Sequence, residues 1–295
     1  MDAVVESRTA ARASTTSERL VRFLNKSPIH IALGLIALIW LAPTIGLLVT
    51  SFRPRSDIQV TGWWESFLQF RYTLNNYQEV LTSQGMLEAF INTFMIAVPS
   101  TLIPLTLASM AAYAFSWLNF PFRDGVFLIV VALLMVPVQV AFIPLLKLFA
   151  PTGLLNNFGA IWLTHTAFAL PFGIFLLRNF FITLPRDLIE AARIDGSSTI
   201  GIFRTIVVPL SVPAIAAYGI FQFLWVWNDL LMALVFVQRG DSWPMTKAIQ
   251  NLLSQYGTEW HLLAAGAFIL MAVPLLVFFS LQRYFVQGLL AGSVK

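Results

Sequence analysis

Cysteine is absent from the 295-residue chain, and charge is scarce, with Asp, Glu, Lys and Arg making up 11% of residues. The first absence excludes disulfides, thiolate metal sites and Cys nucleophiles together. The second excludes an ordinary soluble domain, in which about 25% of residues are charged. Disorder needs low hydrophobicity, so a 58% apolar content excludes that as well. Histidine is nearly missing, and His30, His165 and His261 lie far apart without ligand spacing, which argues against a structural metal. Catalytic patterns are missing too. There is no Gly-x-Ser-x-Gly, no His is followed by Glu, and Asp229 has no second acid within an apolar run to form a pair. A phosphate-binding loop needs Gly before its Lys, whereas Lys26, Lys147, Lys247 and Lys295 follow Asn, Leu, Thr and Val. The chain is expected to be no enzyme and to bind no cofactor or nucleic acid.

What is present is a set of long apolar windows. A hydrocarbon core is spanned by about 20 apolar residues, and six windows qualify: 29–50, 89–116, 125–146, 157–177, 206–228 and 261–281. They are continuous rather than alternating, so the expected fold is all-α, a polytopic bundle of six transmembrane helices. Proline falls in or beside the spans at 43, 99, 104, 137, 144, 171, 213 and 274, and kinks are expected there. An even number of spans puts both ends on one side. That side, with the 117–124 and 178–205 loops, carries twelve Lys and Arg against six across the membrane, so both termini are expected in the cytoplasm. The expected organisation is a cytoplasmic arm 1–28, a six-helix transmembrane domain 29–281 and a cytoplasmic tail 282–295. The longest outer segment, 51–88, holds Trp63, Trp64, Phe67, Phe70, Tyr72 and Tyr77, which suit either an interfacial aromatic belt or a platform for an external partner.

Charge concentrates in the 178–205 loop. Pro185 through Ile194 reads as a short helix, with Pro in the first turn, Asp187 and Glu190 early, and Gly196 placed to end it with positive φ. Ser197 or Ser198 can cap a second short helix running through Phe203 and Ile206 to Pro209. Leu188, Ile189, Ala192 and Ile194 give the first helix an apolar side, fit for a groove in another protein or for the membrane surface. Glu190-Ala191-Ala192, Asp195-Gly196, Phe203 and Val208-Pro209-Leu210 together resemble the EAA loop of ABC-importer permeases. Further likenesses are Ser51-Phe52-Arg53-Pro54, Leu74-Asn75-Asn76-Tyr77, Ala111-Ala112-Tyr113-Ala114-Phe115 and Val136-Pro137-Val138-Gln139. The tail from Gln282 to Lys295 is similar to that of the maltose-type sugar permeases, the six-span member of the pair.

The resemblance implies a type I importer permease in a bacterial or archaeal cytoplasmic membrane. It also implies a second permease, two ATPase subunits holding ATP and Mg, and an external sugar-binding protein. Glu190, Ala191, Ala192, Asp195, Gly196, Phe203 and Pro209 would form the ATPase-coupling loop, and the tail with Gly288 and Gly292 would reach between the ATPases. The stretches 166–178 and around Trp227 look most like permeases for α-glucosides, trehalose or glucosylglycerol.

Polar groups within the spans mark the candidate passage. Trp225, Trp227 and Asn228 can line a sugar path, or serve as belt and helix end. Asp229, about 30 Å along a straight helix from Pro209, falls toward the outer face, where its insertion cost is less than the 2.5–3.5 kcal/mol of the bilayer centre. Gln139 is a further candidate, while Asn92, His165 and Thr166 suit helix–helix hydrogen bonds. A stand-alone secondary transporter is the competing function; it would show internal repeats, which are not evident, and would leave the Glu-Ala-Ala loop unexplained.

Overall fold

The computed structural model describes residues 16–83, 85–255 and 259–291, and among them every regular element is helical. Lipid offers backbone groups no partner, and a helix satisfies them within one segment. The first helix, α1 (Thr16–Ser51), begins within the expected arm and stays continuous through Pro28 and Pro43. Single turns α2 (Arg55–Ile58) and α3 (Ser66–Gln69) lead to α4 (Asn75–Ser83) and then to α5 (Met86–Trp117). After α6 (Arg123–Ala132) and α7 (Phe142–Phe149) comes α8 (Phe158–Phe181), followed by the short α9 (Arg186–Ile194), α10 (Thr199–Ile202) and α11 (Val208–Leu210). The remainder is α12 (Val212–Trp227), α13 (Leu231–Phe236), α14 (Met245–Gln255) and α15 (Trp260–Ala291).

The bundle is centred on α5, which packs against α8 and α12, while α15 lies on α12 and α1. Small residues let these helices approach. A Cβ on Gly173 of α8 would sit 2.4 Å from Cζ of Tyr218, whose ring is fully buried and whose hydroxyl donates to the Ala169 carbonyl at 3.0 Å. Along α1 the opposite holds: Ile31, Leu35, Ile39 and Trp40 are all exposed, so most of this span is left to lipid or to another chain. At the end away from the 185–209 loop, the segment after α1 folds back on it, with the Trp63 ring against Gly46 and Trp64, Phe67 and Phe70 exposed.

Four spans are single helices: Pro28–Ser51, Met86–Trp117, Phe158–Phe181 and Trp260–Arg283. The other two expected spans, 125–146 and 206–228, are not continuous, which corrects their boundaries. The third is Arg123–Met135 joined to Val138–Thr152 with a 94° bend. Pro137 supplies the cause: its ring forces the preceding Val136 into extended backbone (φ −77°, ψ 115°) and it has no N–H to donate. The fifth bends by 79° at Ser211, between Pro209 and Pro213, so the crossing helix begins at Val212 and residues 199–210 belong to the loop. Just before this corner Phe203–Val207 form a π turn, in which the Val208 N–H donates to the Phe203 carbonyl five residues back.

Candidate functional site

The 185–209 loop is built from its caps outward. Pro185 precedes α9, and Gly196 ends it at φ +79°. The Ser197 N–H donates to the Ala192 carbonyl at 2.9 Å and the Gly196 N–H to the Arg193 carbonyl at 3.1 Å, the paired bonds of a Schellman ending. Ser198 then caps α10 by accepting from the Gly201 N–H at 3.1 Å. The result is a fixed elbow between two short helices.

The elbow has two faces, and the expected single apolar side of α9 divides between them. Ile189 and Ala192, with Ile202 and Val207, are buried in one cluster with Ala112 of α5 and Leu177 and Phe181 of α8. Leu188 and Ile194 point away, at 46% and 86% exposure, with Ile200 beyond them. The reason is helical spacing: 189 and 192 lie one turn apart, whereas 188 and 194 fall outside that stripe. Glu190, Ala191 and Asp195 are exposed alongside Leu188 and Ile194. Among the described residues Glu190 forms no salt bridge, and Arg193 donates instead to the Trp117 carbonyl at 2.8 Å. Phe203 is half-buried, its ring centroid 5.3 Å from that of Tyr113, and Pro209 is exposed in α11. Tyr113 and Arg193 thus hold the loop, though neither stood out in the sequence as a site residue.

The candidate passage residues do not gather in one place. Trp227 is 1% exposed, stacks with Phe223 and donates to the Leu270 carbonyl at 2.9 Å, so it joins α12 to α15 and lines no surface. Trp225 is half-buried with its ring edge-on to His165. Asn228 is exposed and donates back to the Leu224 carbonyl at 2.8 Å. Asp229 accepts from the Met232 N–H at 3.0 Å, and its Oδ2 lies 3.8 Å from Nε2 of the fully buried His165. His165 is seven residues inside α8, so this carboxylate sits about 10 Å below the mouth of that helix. It is deeper than a straight span from Pro209 would put it, and α13 covers the remaining distance, its Phe236 carbonyl accepting from the Asn156 N–H at 3.0 Å. Gln139 stands apart, exposed in the turn directly after the Pro137 break. Asn92 donates to the Asp241 and Trp243 carbonyls. In the tail, Gly288 falls within α15, and Gly292 lies outside the described residues.

Residues 80–290 match the family described as the binding-protein-dependent transport system inner membrane component. The chain belongs to this family. It is 53% identical, over 96% of both chains, to the osmoprotective compounds uptake permease protein GgtD of Synechocystis sp.. It is 51% identical to the alpha-glucoside transport system permease protein AglG of Rhizobium meliloti, over 76% of this chain and 61% of that one. A chain from a solved bacterial ABC transporter involved in the import of the polysaccharide alginate shares the fold, with a TM-score of 0.73 at 23% identity, covering 92% of this chain and 98% of that chain. This permease is therefore an inner membrane, all-helical component of a transport system, with the type I importer fold implied by its Glu-Ala-Ala loop.

Proposed function

We propose that this permease forms, with a second permease, the passage of an ATP-driven importer for neutral α-glucoside-type sugars, and that the 185–209 loop receives the stroke of the ATPase. One observation carries the coupling reading. The elbow at Gly196 is capped at both helices and anchored on one face, while its other face presents Leu188, Glu190, Ala191 and Ile194 to a partner. A small apolar ridge edged by the exposed carboxylates of Glu190 and Asp195 suits a groove with a basic or amide-rich rim. ATP and Mg belong to two partner ATPase subunits, an external binding protein delivers the sugar, and the excess of basic residues supports termini in the cytoplasm.

The passage is assigned to the broken spans. Non-helical backbone at membrane depth needs protein or water to cover it, and Gln139 lies directly after the Pro137 break while the half-buried Trp225 and the exposed Asn228 lie at the end of α12, where the helix stops before α13. Asp229 braces α13 from within, and Gly288 and Gly292 belong to a tail reaching toward the ATPases. The sugar class rests on the names of the relatives at 53% and 51% identity, one concerned with osmoprotective compounds and one with alpha-glucosides.

The reading is tested in two steps. Thermal stabilisation of the cognate binding protein across trehalose, maltose, sucrose and glucosylglycerol selects the sugar, and stabilisation by none of them removes the α-glucoside class. With that sugar, Gly196→Val forces a β-branched residue to positive φ and should abolish sugar-stimulated ATP hydrolysis or release the ATPase, with Glu190→Ala milder. Parental coupling in both variants would reduce the loop to a surface helix.

A further inference from the structure

Two side-chain bonds join the loop to a span that is not its neighbour in sequence. Arg193 of α9 donates through Nη2 to the carbonyl of Trp117, the last residue of α5, at 2.8 Å. That carbonyl is one of the acceptors a helix leaves unpaired at its C-terminus, where the helix dipole also favours a cation. Tyr113, one turn earlier on α5, donates its hydroxyl to the Thr199 carbonyl at 3.1 Å. The two donor–acceptor pairs straddle Gly196, one on each arm of the elbow.

We infer that Arg193 and Tyr113 are positioning residues that clamp the elbow to the end of α5, so that displacement of α9 moves α5 and the helices packed on it. This rests on the coupling reading above. Covalent continuity alone would deliver the stroke to α12 through the 79° corner at Ser211, a poor path for a push along α9. Buried contacts of Ile189, Ala192 and Ile202 hold the loop against the bundle but resist sliding weakly, since apolar burial has no direction. Hydrogen bonds are directional, and these two fix the elbow at both arms. With α5 central in the bundle, the clamp distributes movement to α8 and α12 at once.

Arg193 is exposed, so its bond adds little to the stability of the chain, and Tyr113→Phe removes a hydroxyl while keeping the ring against Phe203. Variant importers should therefore assemble. The experiment uses the complete importer in proteoliposomes with its binding protein and the sugar selected by the panel, and reads sugar moved per ATP hydrolysed. Arg193→Gln and Tyr113→Phe should each lower this ratio about threefold and the double variant about tenfold, with parental subunit recovery. Arg193→Lys, which keeps a donor of similar reach, should stay near parental. A parental ratio in the double variant overturns the clamp, as does an equal loss in Arg193→Lys and Arg193→Gln. Gly196→Val and Glu190→Ala in the same assay separate the two readings. If they lose coupling while the double variant keeps it, only the clamp fails; if they too keep it, the coupling loop itself is wrong.

Discussion

The break at Pro137 turns its span by 94° with Met135, Gln139 and Val140 exposed, whereas the break at Ser211 turns its span by 79° with Ser211 and the preceding Val207 fully buried. The first interrupts a span and the second turns the loop into one, and both leave backbone groups in need of partners. Around Ser211 the chain pairs them itself: the Ser211 N–H reaches the Val207 carbonyl at 3.0 Å and the Ser211 carbonyl receives the Ile215 N–H at 2.9 Å, while Leu210 and Val212 on either side are exposed. Around Pro137 the chain supplies two turn bonds, Val136 to Leu133 and Val140 to Pro137, and every residue from 133 to 140 is exposed or half-buried. Proline chemistry produces both bends. They differ in the residue at the bend: Ser211 is tucked into the bundle, whereas Met135, Gln139 and Val140 face outward to water or a partner.

The comparison is broken most severely by unseating the packing beside the covered corner. Gly173→Val would drive its side chain into the Tyr218 ring, and overpacking of this kind costs about 1–3 kcal/mol or more. The folding equilibrium should shift about tenfold for each 1.4 kcal/mol lost, read as a lower midpoint when monodisperse permease is followed by size-exclusion chromatography after heating; a parental midpoint would show that this side can repack. A smaller effect tests the uncovered corner. Because the chain has no Cys, Val140→Cys and Ile39→Cys each carry a single thiol. In the assembled importer a water-soluble maleimide should label position 140 about ten times faster than position 39 on the exposed flank of α1. Equal rates would place both in the same medium. The smallest effect belongs to Ser211 itself. Its hydroxyl has no hydrogen-bond partner among the described residues, so Ser211→Ala should shift thermal stability by no more than about 0.5 kcal/mol. A larger loss would reveal a bond made only in the complex.

Much of this was legible in the residues. Six apolar windows gave the spans, and the Gly196 ending and the Ser198 cap follow from local chemistry that operates the same way in any fold. The 79° corner was hidden because the window 206–228 is apolar on both sides of Ser211, although Pro209 and Pro213 flanking one small residue were the available signal. The division of α9 was hidden for another reason. Leu188, Ile189, Ala192 and Ile194 look alike as apolar residues, and only the bundle beneath decides that 189 and 192 face it. Trp227 illustrates the same limit, since an indole suits a sugar face and a helix interface equally and the Leu270 carbonyl that claims it is 43 residues away. Arg193 lies three residues from Glu190 on the same short helix, yet the acceptor it takes, Trp117, is 76 residues distant.

The π turn at Phe203–Val207 has a consequence for how this corner tolerates changes in chain length. A π turn is an α turn with one residue added, so deleting one position there would restore ordinary geometry with both flanking segments still in register. The same deletion within α12 would rotate everything beyond it by about 100° and retract it by about 1.5 Å, swinging Gln222 off Ser100 and Trp227 off Leu270. A one-residue deletion is thus absorbed next to the loop and rejected one helix later. The π turn holds one residue of slack, and it holds it where the loop turns into α12.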